Sequence, residues 1–552
     1  MPGGLMNLVA YGNQNIILNG NPSKTLFKCT YSKYTNFGLQ KFRTDFDGIR
    51  SLSLNNTTTL DFKILRYADL LMDTYLVVTL PDIWSPILPP NINNIGPEGD
   101  PTWRPYEFKW IKNLGSQLIN KVSFMVGSQI IQEFTGQYLT NLVERDFSET
   151  KKKSYYNMTG NVPELNDPAI SGARKNMYPS AYNFNDPTQP IEPSIRSRQL
   201  FIPLNIWFTL SAKMAFPLIS LQYNELHIVV EIKALNDLFV VRNVANGGFD
   251  EYIKPNGDPL FDLTRFINPP PPPTSESGNT IDPITDYTLD YSNITTNAWN
   301  HDIHLISTYA FLSEDEVRGF AKQEQRYLIK QVYEYDFSSL YGANRAQLYS
   351  LSMVANWMWF FQRDDAYLRN EWSNYTNWPY DYLPDDIIDP EIPENNALTI
   401  TYNGTPNITP GINPSLPILV PPKNNTAIWI NPQRNDANEP NIMTRWALLF
   451  DGKYRENQQD AEVFNLVEKY AKSSGFSSNG LYSYNFDLNT NPFELQPSGA
   501  VNLSKINKIE FEFNTITPLP NEDAYKYNLH VMEERYNTLI FSSGNAALMY
   551  AR

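Results

Sequence analysis

Apolar and polar side chains alternate with a strict period of two at many points along this chain, and nothing else in the sequence constrains the fold as tightly. Ile509, Phe511 and Phe513 alternate with Lys508, Glu510 and Glu512. Leu226, Ile228, Val230 and Ile232 alternate with His227, Val229 and Glu231, and Tyr327, Ile329, Tyr333, Tyr335 and Phe337 share one parity. Successive strand side chains point to opposite faces, so these runs predict strands packed on one side. Tyr75 to Leu80 is apolar on both parities and predicts a strand covered on both faces, and the run Trp357 to Phe361 reads as a buried strand. Helix is disfavoured over most of the length, because 41 prolines and abundant asparagine suit turns and not helix interiors. A β-rich, loop-rich protein is expected.

A chain of 552 residues is too long for one ordinary core, which predicts two to four domains. A hydrophobic content of 41%, with 14% aromatic, is enough to fill those cores. Three stretches interrupt the strand pattern: 236–300, which carries Pro269 through Pro273, 377–432, and less strongly 145–199. Each reads as a loop excursion from a β-scaffold. One helix start is clear. Ser313-Glu314-Asp315-Glu316 fits a capping box, with Ser313 as N-cap and Glu316 reaching back, ahead of two or three turns to about Gln325. Strands expected over His304–Leu312 and Tyr327–Phe337 flank it, so it reads as an interdomain connector. Another strand is expected over Phe27–Phe46. No internal sequence repeat is evident, so any duplication must be sought in the architecture.

The chemistry of enzymes is sparsely represented. Net charge is −15, and the best basic run is Lys151-Lys152-Lys153, read as a solvated loop; direct packaging of nucleic acid is not expected. Cys29 is the only cysteine, which rules out an intramolecular disulfide and a cysteine zinc site and suits a reducing compartment. No secretory signal and no run near the ~20 apolar residues of a membrane span are visible, so membrane contact is expected only through partners. His301 and His304 are three apart but sit at a strand entry, where that spacing faces opposite sides; His227 is read as structural, and His530 is the fourth histidine. The acidic pairs Asp364-Asp365 and Asp385-Asp386 read as loop carboxylates. Gly3-Gly4 and Gly247-Gly248 lack the P-loop pattern, and sequons at Asn293, Asn403, Asn407 and Asn424 are no more than such asparagine content gives by chance. No catalytic, cofactor-binding or metal residue is assigned.

One ordered set of residues carries a family resemblance. Pro2-Gly3-Gly4-Leu5, Leu8-Val9-Ala10-Tyr11-Gly12, Leu18-Asn19-Gly20-Asn21-Pro22, Phe27-Lys28 and Tyr34-Thr35-Asn36-Phe37 follow one another in the first 37 residues. Phe201-Ile202-Pro203-Leu204, Phe216 through Glu225, Gln496-Pro497-Ser498-Gly499, Tyr536-Asn537-Thr538-Leu539 and Leu548-Met549-Tyr550-Ala551 continue it. Together they resemble the major capsid proteins of large icosahedral nucleocytoplasmic DNA viruses. The resemblance implies an all-β fold of two consecutive eight-stranded jelly rolls with long inserted loops and a short connecting helix. It implies an N-terminal arm over 1–25, a first jelly roll over 26–318 and a second over 319–552. It further implies a structural protein, not an enzyme, without cofactors, forming pseudo-hexagonal homotrimeric capsomers that tile an icosahedral shell. Expected partners are other copies of the chain and minor capsid and penton proteins, in a virion assembled in the host cytoplasm. A carbohydrate-active β-sandwich is the alternative, with Trp357, Trp359, Trp372 and Trp378 as a sugar platform. A spike or minor capsid protein of the same lineage is a third reading.

Overall fold

The structure is a computed structural model that describes residues 4–5, 12–48, 51–85, 108–168, 192–242, 252–255, 262–269, 299–378, 400–402, 405–407, 439–475, 478–517 and 525–550. Most of the long excursions, Gly247-Gly248, Asp385-Asp386, Asn293, Asn403, Asn424 and Pro270 to Pro273 lie outside the described residues, as does part of the arm.

The first half contains β1 (Phe37–Thr44), β2 (Thr58–Ile64), β3 (Leu70–Leu80), β4 (Phe108–Trp110), β5 (Ile119–Val126) and β6 (Gln129–Thr135). Helices α1 (Gly136–Asp146) and α2 (Glu149–Thr159) follow, then β7 (Arg198–Pro203), β8 (Phe216–Pro217), β9 (Leu226–Ile232), β10 (Phe239–Arg242), β11 (Tyr252–Ile253) and β12 (His304–Leu312). Helix α3 (Glu314–Lys322) leads into the second half, with β13 (Gln325–Leu340), β14 (Ala343–Leu348), β15 (Met353–Arg363) and a small ribbon of β16 (Ile400–Tyr402) and β17 (Thr405–Asn407). It ends with β18 (Met443–Phe450), β19 (Lys453–Asp460), α4 (Glu468–Lys472), β20 (Leu481–Asn485), β21 (Val501–Asn502), β22 (Ile509–Thr515), β23 (Tyr527–Ser542) and β24 (Asn545–Leu548).

The duplication that the sequence hides is written in the strand order. The first half has sheets β1-β12-β3-β7 and β2-β9-β5-β6, and the second has β13-β23-β15-β20 and β14-β22-β18-β19. If the principal strands of each half are counted in chain order, both halves read first-eighth-third-sixth in one sheet and second-seventh-fourth-fifth in the other. Pairings along these paths are antiparallel. Two facing sheets wired in this way are a jelly roll, and the chain contains two, with no sheet among the described residues mixing strands from both. Even the helices recur in place: α1 follows the fifth principal strand of the first half, and a helix over 461–472, with a π-turn at Val463–Val467, follows the fifth of the second.

The alternation read from the sequence maps directly onto burial. In β9, Leu226, Ile228, Val230 and Ile232 are buried while the residues between them are partly open. In β15, Trp357, Trp359 and Phe361 enter the second core, where Trp359 stacks on Trp446 with ring centroids 4.8 Å apart. The opposite parity, Met358 and Phe360, is equally buried but belongs to the first core. One strand therefore serves both halves.

Several expectations need correction. The strand expected over Phe27–Phe46 begins only at Phe37, because its sole ladder partner β12 ends at Leu312, opposite Phe37. Residues 27–36 have no strand to bond and are exposed. The segment 145–199 is not simply loop: α2 lies near its start, entered at Ser148 and ended by Gly160 at φ 81°, a conformation that suits glycine. The run Lys151-Lys152-Lys153 lies on this helix and not on a loop; Lys151 and Lys153 are exposed, but Lys152 is not. Lys152 is buried and pairs with Glu144 at 2.9 Å, and the Lys151 ammonium lies 3.1 Å from the centroid of the Phe493 ring. The capping box at Ser313 does not close. Ser313 holds the N-cap position without a side-chain hydrogen bond, and Glu316 instead accepts one from Thr35 (2.8 Å) in the segment entering β1.

Candidate functional site: the seam between the two halves

The candidate chemical residues are dispersed and satisfied. His227 Nδ1 pairs with Asp61 (2.8 Å), His304 Nδ1 with the Asp302 carbonyl (2.7 Å), and His530 Nδ1 with Asp336 (2.6 Å), while the Ile303 amide donates to His301 Nδ1. Among the described residues no group of three or more His, Cys, Asp or Glu could hold a metal ion. Asp365 is clamped by Arg363 (2.7 Å) and Arg369 (2.9 Å); burial would raise its carboxyl, but the two guanidiniums outweigh it and hold it below the usual range. Asp364 accepts from the Lys526 amide (3.0 Å). Trp357 and Trp359 have no exposed surface, so the proposed sugar platform does not exist: two of its four rings are core. Cys29 is exposed.

What the fold does build is a buried polar seam that locks one jelly roll against the other. It starts at α1. Thr135 caps this helix by accepting from the Tyr138 amide, and its hydroxyl also donates to Glu334 of β13 (3.0 Å). One face of α1 then runs along the outer surface of the second roll's larger sheet. Tyr138 donates to Glu534 Oε1 (2.9 Å), Asn141 Nδ2 lies 3.7 Å from Met532 Sδ, and Arg145 ends the row.

Arg145 has no solvent exposure, and all three of its guanidinium nitrogens donate. It donates twice to Asp146 (3.0 and 2.7 Å), once to Asn356 of β15 (2.8 Å) and once to Glu534 of β23 (3.0 Å). Asn356 donates onward to Glu534 Oε2 (3.0 Å), and Lys330 of β13 approaches the same oxygen (3.3 Å). Thr490 donates to Asp146 (2.5 Å), and the Gly475 amide donates to the Arg145 carbonyl (2.9 Å). A Cβ at Gly475 would overlap that carbonyl, so only glycine fits there. Burial would raise the Glu534 carboxyl, but Arg145 and Lys330 dominate and bring it down to about 2. Asp487, at the edge of the cluster, lacks an equivalent partner, and burial pushes it up to about 6.

Apolar contacts extend the seam. Phe541 of β23 packs edge-on to Phe216 (5.2 Å) and Tyr327 (5.5 Å), and Trp207 meets Tyr327 at 5.6 Å. Gln331 donates to the Ile131 carbonyl (2.7 Å), and the Trp372 indole to the Asp237 carbonyl (3.0 Å). A hydrophobic contact alone tolerates sliding, whereas directional bonds among buried charges do not. The seam therefore sets one angle between the rolls. Its members were invisible in the sequence because they pair across separations such as 389 positions for Arg145 and Glu534.

Two jelly rolls held side by side by a rigid seam define the double jelly-roll class of capsid proteins, a structural class and not an enzymatic one. A family model described as major capsid protein N-terminus matches residues 25–267, and one described as large eukaryotic DNA virus major capsid protein matches residues 316–547. The chain belongs to the major capsid protein family of large eukaryotic DNA viruses. It is 23% identical over 596 aligned positions to the major capsid protein of Phaeocystis pouchetii virus, covering all of both chains. In fold it is similar to a capsid chain of PBCV-1 (TM-score 0.58, 17% identity, 96% of this chain and 100% of that one). It is similarly close to the Faustovirus major capsid protein (TM-score 0.59, 14% identity, 94% and 93%).

Proposed function

We propose that three copies of this chain close into a capsomer whose six jelly rolls give a pseudo-hexagonal outline, and that such capsomers tile an icosahedral viral shell. The observation that carries the reading is the seam. Two rolls of identical wiring, fixed at one angle, supply two neighbouring sides of a hexagon per chain, so threefold closure completes it. Heterologous contacts close into rings when the rotation permits, and obligate ones bury more than ~2,000 Å². The working division is an arm over 1–25, a first roll over 26–318 and a second over 319–552, with α3 at the handover. The arm would face the interior and contact neighbouring capsomers, minor capsid proteins or penton proteins, and membrane contact would run only through those partners. Leu18, Leu26, Phe27, Tyr31 and Tyr34 in and just after it are more than four-fifths exposed, as a segment awaiting a partner would be. Assembly would take place in the host cytoplasm, without direct contact to the genome. Deleting residues 1–25 should leave capsomers intact and abolish shell assembly in an electron-microscopy assay; normal shells from the truncated chain would overturn the role given to the arm.

A further inference from the structure

We infer that the trimer is closed by a second copy of the intrachain seam, in which the helix over 461–472 of one chain lies on the outer face of the β1-β12-β3 sheet of the next. This rests on the trimeric reading above.

The inference follows from the repeated topology. Within a chain, the helix after the fifth principal strand of roll one covers the outer face of roll two's larger sheet. The matching helix of roll two and the matching sheet face of roll one are both left over. Counting from the strand ends Thr135 and Asp460 puts the two helices in register. Tyr138, Asn141, Leu142 and Arg145, the row that meets roll two, fall three, six, seven and ten residues after Thr135. Val463, Leu466, Val467 and Tyr470 fall at the same distances after Asp460. The inward positions agree as well: Leu139 and Phe464, four residues on, are both buried in their own rolls.

The outward row of the second helix is apolar and uncovered. Leu466 is 49% exposed, Val467 57% and Tyr470 92%. Large apolar groups on one helix face are costly to leave in water and mark an interaction surface. The receiving face is open along part of β1 and β3. In roll two the outward residues Asn356, Met358, Phe360, Met532 and Glu534 are almost wholly buried beneath roll one. On the equivalent face of roll one, Asp73 and Tyr75 of β3 are half-buried and Leu39 and Lys41 of β1 are exposed, while Val77 and the outward β12 residues His304, Thr308 and Ala310 between them are buried. A cavity of about 280 Å³ opens there, bordered by Asp73, Tyr75, Phe147, Lys151 and Phe493. It offers Tyr470 an aromatic wall and the Asp73 carboxylate as an acceptor for its hydroxyl.

The contact is head-to-tail: each chain presents an unused helix to one neighbour and an unused sheet face to the other. Three chains then close a ring of six similar seams, three polar within chains and three apolar between them.

Photo-crosslinking tests this on the full-length protein. Tyr470 is replaced by benzoylphenylalanine, light and ¹⁵N-labelled chains are mixed, and crosslinked peptides are identified by mass spectrometry. The expected result is mixed-isotope crosslinks from position 470 into residues 37–44, 70–80 or 304–312. Crosslinks elsewhere in a particle of trimeric mass overturn the inference and leave the trimer standing; a monomeric mass for the unmodified protein overturns the trimer and the inference with it. The variant Tyr470→Asp, at a position too exposed to matter for folding, should keep its thermal transition and raise the trimer dissociation constant by roughly thirtyfold or more. An unchanged constant would also overturn the assignment.

Discussion

Replacing Glu534 by Gln removes one charge from the centre of the seam at almost constant volume. The structure gives a magnitude. Glu534 is held at about 2 instead of near its ordinary 4.5, a difference of about 2.5 units; at about 1.4 kcal/mol per unit this is about 3 kcal/mol of stability. Loss of one partner from a buried ionic cluster costs about 3–5 kcal/mol by a separate route, because Arg145 and Lys330 keep their charges and lose one carboxylate, with Asp146 left as the ionic partner of Arg145. The two figures agree, and E534Q should destabilise the protein by about 3–5 kcal/mol at pH 7. The sign with pH is fixed as well. A carboxyl depressed on folding contributes fully above its unfolded value near 4.5, and the contribution disappears as pH falls through about 2. The wild type should therefore lose stability between pH 4.5 and 2, and E534Q should show less of that slope. Urea unfolding followed by tryptophan fluorescence at several pH values reads both effects. A loss below about 1 kcal/mol at pH 7, together with an unaltered acid slope, would refute the reasoning.

Other expectations follow from neighbouring residues. Asp487→Asn should stabilise the protein above pH 6 by up to about 3 kcal/mol, since burial raises this carboxyl to about 6 and its ionisation in the folded state is unfavourable; the gain should vanish below about pH 4, and a pH series of thermal melts measures it. Trp359→Ala empties the space between Trp446 and Tyr482 and should cost about 3–5 kcal/mol, seen in the urea midpoint. Gly475→Ala should disrupt the Arg145 end of the seam and expose the linkage between the rolls to limited proteolysis. By contrast, Gly319→Ala in α3, where a Cβ meets nothing within 4 Å, should stabilise by roughly 0.5–1 kcal/mol in the same melts.

The strands were legible because their signal is local. Leu226 to Ile232 and Ile509 to Phe513 alternate in sequence where one face is core. Tyr327 and Ile329 enter the first core while Tyr335 and Phe337 of the same parity border the second, and the run at Trp357 reads as buried because both of its faces are. Helix α3 was legible from the acidic turn after Ser313, although Glu316 serves the segment entering β1 and not a capping box. Helix α2 was missed because its apolar content is small and its neighbours are asparagine, glycine and proline; it is held by Tyr155, Lys152 and Thr159 packing inward. Nothing local announces the seam. Arg145, Asn356 and Glu534 each look like ordinary surface residues in their own segments, and only the pairing of two rolls makes them a cluster. Likewise the duplication survives in strand order while the side chains have diverged, as Tyr138 and Arg145 against Val463 and Tyr470 illustrate.

The mass and outline of the purified protein bear most directly on whether paired rolls in one chain are a third of a closed ring. Mass photometry with negative-stain imaging should give a particle of about 190 kDa, three times the 63.5 kDa chain, with a six-sided outline. A particle that stays at the mass of one chain at micromolar concentration, or a ring with a number of chains other than three, would contradict the account.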